Sequence, residues 1–259
     1  MIKIYKIGGN IINSEEDLRS FLYDFSLIPG KKILVHGGGK EATELSRKTG
    51  LEATMIQGRR VTDIETLKMV TMVYAGLINK RIVSILQEYQ CNAVGLSGAD
   101  GNVIPAVKRS PYPIDYGFVG DINPKDINTS FISLLLGNEF TPVFCAICRN
   151  HQGGLLNCNA DTIAASLAQA CSNIEQTDLI YCFEKKGVLE DLNDDDSLLK
   201  IITPQKFEYL LKTGKISEGM IPKITNALKA INEGVHTVRI RGSHNINKEE
   251  SGTLICLEE

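Results

Sequence analysis

Nothing in this chain occurs in the excess that marks a specialised class. It has no surplus of either charge, since 28 Lys and Arg face 31 Asp and Glu for a net charge of −3 over 259 residues. A general pull toward nucleic acid or an anionic membrane surface is therefore absent, and any anion site must be local. The dense cysteine framework of a secreted scaffold is missing too. Seven cysteines, an odd number, lie scattered among aliphatic residues, which points to a reducing compartment. No charged-then-apolar leader precedes the first strand-like run, Met1-Ile2-Lys3-Ile4, and no window reads as a membrane span. A cytoplasmic protein is expected, with neither nucleic acid nor membrane as partner. Internal repeats and low-complexity linkers are also lacking.

What is present is an alternation. Apolar runs with strand character recur at 2–7, 32–35, 93–96, 142–147, 178–182, 236–240 and 253–257, and segments with helical spacing fill 15–25, 40–48, 63–89, 124–137, 160–171, 203–213 and 219–233. This predicts an α/β fold, a three-layer αβα sandwich around a central, mostly parallel sheet. Stretches 51–61 and 103–119 break the pattern with Gly, Pro and strand formers, and are predicted as β-hairpins overhanging the carboxyl ends of the strands. The polar run at 172–177 predicts a boundary between an N-terminal lobe, 1–174, and a C-terminal lobe, 175–259. Segment 63–89 carries apolar residues on more than one face, so it is either a central buried helix or packs its second face on another subunit. A homodimer is expected. The acidic stretch 191–196 predicts a solvated loop.

Two of the apolar runs end in glycine: Lys6-Ile7-Gly8-Gly9 and His36-Gly37-Gly38-Gly39-Lys40. Glycine lets backbone N–H groups approach a ligand, and the helix that follows adds partial positive charge, so such turns hold phosphate or carboxylate. Either turn alone reads equally as a tight structural turn. Neither has the Gly-Lys-Ser/Thr ending of a P-loop or the Gly-x-Gly-x-x-Gly dinucleotide spacing. A third element, Asn157-Cys158-Asn159-Ala160-Asp161, puts three polar side chains at alternate positions before a helix; capping explains one of them. Gly219-Met220-Ile221-Pro222-Lys223 and Gly58-Arg59-Arg60-Val61-Thr62-Asp63 add an early helical lysine and a candidate carboxylate clamp.

Together with Ala75 to Lys80, Gly95 to Gly101 and Gly117 to Gly120, these motifs resemble the amino-acid kinase family in order and spacing over nearly the whole chain. Within it, the likeness is to the members that act on N-acylated glutamates. The resemblance implies ATP-dependent phosphorylation of the γ-carboxylate of an N-acyl-L-glutamate, N-acetyl-L-glutamate first, in arginine biosynthesis. ATP is the implied co-substrate, with Mg²⁺. Lys6 and Lys223 would contact the phosphoryl group, and Asp161 would orient them. Gly8 and Gly9 would offer N–H groups to the ATP phosphates, and Gly37, Gly38 and Gly39 to the acceptor carboxylate. Arg60 and Asn157, with Asn159 nearby, would hold the substrate's α-carboxylate and amide. Carbamate, uridylate and aspartate kinases are alternatives within the family, which Arg60 and Asn157 to Asp161 disfavour. A non-catalytic sensor on the same fold is another, against which stand Lys6, Asp161 and Lys223 together.

Some positions depart from the family. Cys145-Ala146-Ile147-Cys148-Arg149 replaces a common Pro-Ile-Gly, and reads as two small buried thiols rather than a redox pair or half a zinc site. Arg149 there raises N-succinyl-glutamate as an alternative substrate, its extra carboxylate paired with the guanidinium. Phe183-Glu184-Lys185-Lys186 stands where an Asp and a small residue are usual, and the stretch from His244 to Thr253 looks shortened. Both changes bear on adenine recognition. Arginine-inhibited relatives carry an extra N-terminal helix that helps build hexamers; this chain begins at its first strand, so a dimer without that control is expected.

Overall fold

All seven apolar runs enter one sheet of eight strands. In the computed structural model every residue is described except 58, 192, 193, 195, 217–219, 249 and 259. The strands are β1 (Ile2–Ile7), β2 (Lys31–His36), β3 (Ala93–Leu96), β4 (Thr141–Phe144), β5 (Thr177–Phe183), β6 (Ile201–Ile202), β7 (Thr237–Gly242) and β8 (Thr253–Ile255). They lie in the order β6-β8-β7-β5-β1-β2-β4-β3. Every pairing is parallel except β7 with β8. The interior strands read as nearly unbroken aliphatic sequence because both their faces are covered.

The helices are α1 (Gly9–Asn13), α2 (Glu15–Leu27), α3 (Gly39–Lys48), α4 (Ile64–Glu88), α5 (Thr129–Gly137), α6 (Ala160–Ser172), α7 (Pro204–Thr213) and α8 (Ile221–Asn232). Register sorts them into layers. Tyr5 on one face of β1 meets Phe25 of α2 edge to face at 5.4 Å, while Asn79 of α4 donates to the carbonyl of Val143. Those two helices thus share one face. Lys6 and Tyr181, paired across β1 and β5 on the other face, both meet Asp161 of α6. The three-layer sandwich is as expected.

Differences from the sequence reading have local causes. The run 142–147 does not continue as one strand. Beyond Phe144 the chain leaves the sheet, and Ile147–Arg149 pairs antiparallel with Leu155–Asn157 in a hairpin that periodicity did not reveal. Edge strand β6, two residues long, was too short to read. The hairpin at 51–61 pairs Met55–Ile56 with Arg59–Arg60. The one at 103–119 pairs Val107–Lys108 with Gly120–Asp121, just past its expected end. Gly219 and Gly58, and part of the 191–196 stretch, lie outside the described residues.

Helix α4 corrects another expectation. It is long enough and, at a mean hydropathy of 1.3, apolar enough to cross a membrane, yet half of that stretch is buried inside the protein. Its middle, Met72–Ile78, is π-helical. Before that segment Leu67 and Val70 are buried, and after it Ile82, Ile85 and Leu86. Met72 and Leu77 stay exposed at 60% and 50%.

Both ends of α2 are held by side chains. Ser14 Oγ accepts from the backbone N–H of Asp17 at 3.2 Å, with Glu15, Glu16 and Asp17 in the positive first turn. At the other end the buried Lys32 ammonium donates to the carbonyls of Phe25, Ser26 and Ile28 at 2.8, 2.8 and 2.6 Å. Its charge also sits 5.0 Å from the Phe25 ring. Three carbonyls that would otherwise face apolar surroundings thus share one cation. Lys32→Met is expected to cost about 2–4 kcal/mol in urea unfolding. The exposed ion-pair lysine Lys68, changed to Met, serves as the control and should move stability by under about 0.5 kcal/mol. Equal costs at the two positions would remove Lys32 as the anchor of α2.

Candidate functional site

β1 lies where the sheet changes direction of winding: the chain moves from β1 outward through β2, and after β4 returns to β5 on the opposite side. In such sheets the crevice beyond the carboxyl ends at this point accepts ligands. Here Ile7 and His36 are register partners, so the turns at Gly8–Gly9 and Gly37–Gly39 emerge side by side.

Beneath them lies a buried charge cluster. Lys6, the penultimate residue of β1, places Nζ 2.5 Å from Asp161 Oδ1, and Lys223 of α8 places Nζ 3.6 Å from Oδ2. Burial opposes ionisation of the Asp161 carboxyl, but the charges of Lys6 and Lys223 outweigh it and hold its pKa below the usual carboxylate range. Two cations on one carboxylate leave a net positive charge. Phe183, the last residue of β5, presents its ring 5.7 Å from Lys6 Nζ and 5.0 Å from Lys223 Nζ.

Two cavities meet at this cluster. The first, about 240 Å³, is polar, and all three of Gly37, Gly38 and Gly39 line it with Lys6, Gly9 and Asp161. Arg60, Asn157 and Asn159 also belong to its wall. Arg60 is buried, donating through Nη2 to the Gly39 carbonyl at 2.9 Å and to Thr43 Oγ1 at 2.6 Å. Its Nη1 is buried without a hydrogen-bond partner, a charged donor of the kind that pairs with an anion. Asn157 donates through Nδ2 to Thr62 Oγ1 at 3.0 Å, leaving its Oδ1 to accept. Asn159 Oδ1 caps α6 by accepting from the N–H groups of Asp161 and Thr162. The second cavity, about 290 Å³, has Lys223, Asn10 and Phe183 at its inner end and Val188, Leu189 and Ile216 along its apolar wall. Gly8 lies beside the second cavity's Phe183, an added Cβ there being 3.9 Å from the ring.

The glycine turn at 37–39 is fixed from below. His36 is fully buried; its Nδ1 lies 2.8 Å from the Gly37 carbonyl and its Nε2 lies 3.0 Å from Asn79 Nδ2. With Asn79 donating to Nε2, the proton sits on Nδ1. An added Cβ at Gly38 would come within 2.4 Å of Ile78 Cδ1, so only glycine fits under α4.

The structure thus brings Lys6, Gly9, Gly37 to Gly39, Arg60, Asn157, Asn159 and Asp161 to the first cavity and Lys223 to the second, whereas Gly8 lines neither. Tyr74, Met55 and Arg59, also in the first wall, gave no sequence signal apart from the Arg59-Arg60 pair. Thr43 gave no sequence signal because it acts through Arg60, and Thr62, though part of the Gly58 to Asp63 motif, showed no role of its own because it acts through Asn157. Arg149 does not reach the cavity. Its guanidinium turns to the carbonyls of Asn150 and His151 and to Asn102 Oδ1, because it sits on the hairpin that leaves the sheet. Cys145 and Cys148 are both buried, and burial raises the Cys145 thiol to about 12. Among the described residues no three of His, Cys, Asp or Glu form a group able to hold a metal ion.

Comparison with known proteins follows the same line. Residues 1–242 match the amino acid kinase family. A protein of Phocaeicola vulgatus named acetylglutamate kinase is 49% identical over 254 residues, 98% of each chain. One of that name from Cytophaga hutchinsonii is 51% identical over 243 residues, 93% of this chain and 91% of the other. The crystal structure of a Streptococcus mutans protein superposes with a TM-score of 0.79 at 28% identity, covering 99% of both chains.

Burial lowers the His36 pKa from 6.5 to about 4, which makes the site acid-sensitive. Below pH 6.5 the unfolded chain takes up a proton that the folded site refuses. Stability is therefore full above pH 6.5 and falls by about 3 kcal/mol as pH drops toward 4. Urea unfolding at pH 7 and 4.5 should show a smaller acid loss for His36→Gln than for the wild type. An identical loss in both would clear His36 of that role.

Proposed function

The chain belongs to the amino acid kinase family, and from that premise we propose that it phosphorylates the γ-carboxylate of N-acetyl-L-glutamate with ATP, in arginine biosynthesis. The observation that carries this reading is the Lys6–Asp161–Lys223 cluster standing between a small polar cavity and a second, more apolar one. Two relatives named for the same activity, at about half identity, support it.

The first cavity suits the acceptor. Arg60 Nη1 would take the α-carboxylate, and Asn157 Oδ1 would accept from the acyl-amide N–H, with Asn159 beside it. Gly37, Gly38 and Gly39 would direct backbone N–H groups at the γ-carboxylate. The second cavity suits the nucleoside, with Gly8 and Gly9 offering N–H groups to the phosphates. Mg²⁺ would enter as part of the nucleotide substrate, held by phosphate oxygens and water.

The chemistry asks for charge neutralisation and alignment rather than a base. A glutamate side chain is already ionised near neutral pH. Its oxygen attacks the terminal phosphorus, the bond to the ADP oxygen breaks, and an acyl phosphate forms. Lys6 and Lys223, surplus by one positive charge over Asp161, would neutralise the phosphoryl oxygens in transit. Asp161 holds the two ammonium groups in fixed directions, so little reorganisation is left to the reacting state. Residues 1–174 would then carry the acceptor and residues 175–259 most of the nucleotide site. The exposed Met72 and Leu77 of α4 support a homodimer formed through that helix, in the cytoplasm.

ADP release from ATP should depend on N-acetyl-L-glutamate, and hydroxylamine should trap the product as a hydroxamate. Ligand binding without turnover would instead make the chain a sensor. Lys6→Ala and Lys223→Ala should each lower kcat by about 10²–10³ with a much smaller change in KM, and near-normal kcat in either would break the assignment. Separately, Leu77→Glu should halve the mass found by light scattering; an unchanged mass would refute dimerisation through α4.

A further inference from the structure

Phe183 occupies a position where an acidic or small side chain would be the simpler neighbour for two lysines. It ends β5, pairs with Gly242 on β7, and stacks on Tyr181 with ring centres 6.4 Å apart and planes at 20°. The hydroxyl of Tyr181 donates to the backbone carbonyl of Asp161 at 3.3 Å. The two rings therefore form a short column tied at one end to the helix start that carries Asp161. At the other end the column faces both ammonium groups, at 5.7 Å for Lys6 and 5.0 Å for Lys223.

An aromatic face attracts a cation through its quadrupole within about 6 Å, and does so without adding a formal charge. A carboxylate at this point would hold the lysines as firmly, but would cancel the one positive charge left over from Asp161. The ring also cannot donate or accept a hydrogen bond along the edge of the sheet. All the ammonium hydrogens not used by Asp161 therefore remain for a third partner. Lys6 is almost wholly buried, and Lys223 keeps 23% of its side chain exposed, toward the second cavity.

We propose that Phe183 is a positioning residue for phosphoryl transfer: a shared cation–π platform that parks Lys6 and Lys223 side by side while leaving their surplus charge for the moving phosphoryl group. This rests on the kinase reading above. The ring does not touch the reacting atoms; it acts through the two lysines. It steers them from the side opposite the acceptor cavity, since Phe183 lines only the nucleotide side.

The test grades the ring face without changing its shape. Phe183 is replaced in the full-length protein by mono-, di- and trifluorinated phenylalanine, which withdraw electron density stepwise at nearly constant volume, and separately by Phe183→Tyr and Phe183→Leu. Log kcat for ADP formation with N-acetyl-L-glutamate is expected to fall in proportion to fluorine number, about tenfold across the series, with KM for N-acetyl-L-glutamate within about twofold. Phe183→Tyr should hold near the wild-type rate, and Phe183→Leu should fall at least as low as the trifluorinated protein. The Tm of the ligand-free protein should follow the same order, because the ring faces the lysines before substrate arrives. Flat kcat and flat Tm across the fluorinated series, in an active wild type, would overturn the platform. A graded Tm in a wild type that turns over no substrate would uphold the platform and overturn the kinase reading instead.

Discussion

One buried carboxylate organises this protein. Burial opposes ionisation of Asp161 at the sheet–helix interface, and two ammonium groups from distant parts of the chain outweigh that opposition. That requirement fixes the surrounding geometry. β1 must place Lys6 at its carboxyl end, α6 must begin where β1 and β5 meet, and α8 must swing Lys223 back over the same point. Removing Asp161 would leave two neighbouring ammonium groups without a counter-charge, a larger penalty than the pairing itself is worth. The arrangement therefore ties both ends of the molecule together through its chemistry rather than through apolar packing alone.

Around that centre the polar side chains are half used. Arg60 spends one guanidinium nitrogen on Gly39 and Thr43 and keeps the other. Asn157 spends its donor on Thr62 and keeps its acceptor. Each residue is immobilised by the contact it makes and remains available through the one it lacks, so ordering on ligand binding costs less. The same economy holds His36, whose two ring nitrogens secure a glycine turn from underneath and take no part in ligand contact.

The sheet and its covering helices were legible because alternation of short apolar runs with helical spacing is a property of contiguous sequence. Glycine after a strand, and lysine beside it, were legible for the same reason. Lys6, Asp161 and Lys223 were recognisable through family resemblance, yet their meeting is a tertiary fact. The hairpin after β4 escaped because its strands, three residues each, carry no period to detect. Arg149 misled for a related reason: strand alternation says which side a residue takes, but not that the strand has left the sheet. Phe183 stood out only as an oddity, and its two cationic neighbours became visible only once β1, β5 and α8 were in place.

The π-helical stretch of α4 gives the helix something a composition cannot specify. One additional residue in a helical turn rotates everything after it by about 100° relative to everything before. Here that offset decides whether Asn79 faces His36 or solvent, and with it whether the glycine loop has a floor. The loop's shape is thus set by a counting rule some forty residues downstream. Within Met72 to Ile78 only Tyr74 and Ile78 touch the cavity wall or the glycine turn, yet deleting any one residue of that segment would turn the supporting amide of Asn79 away.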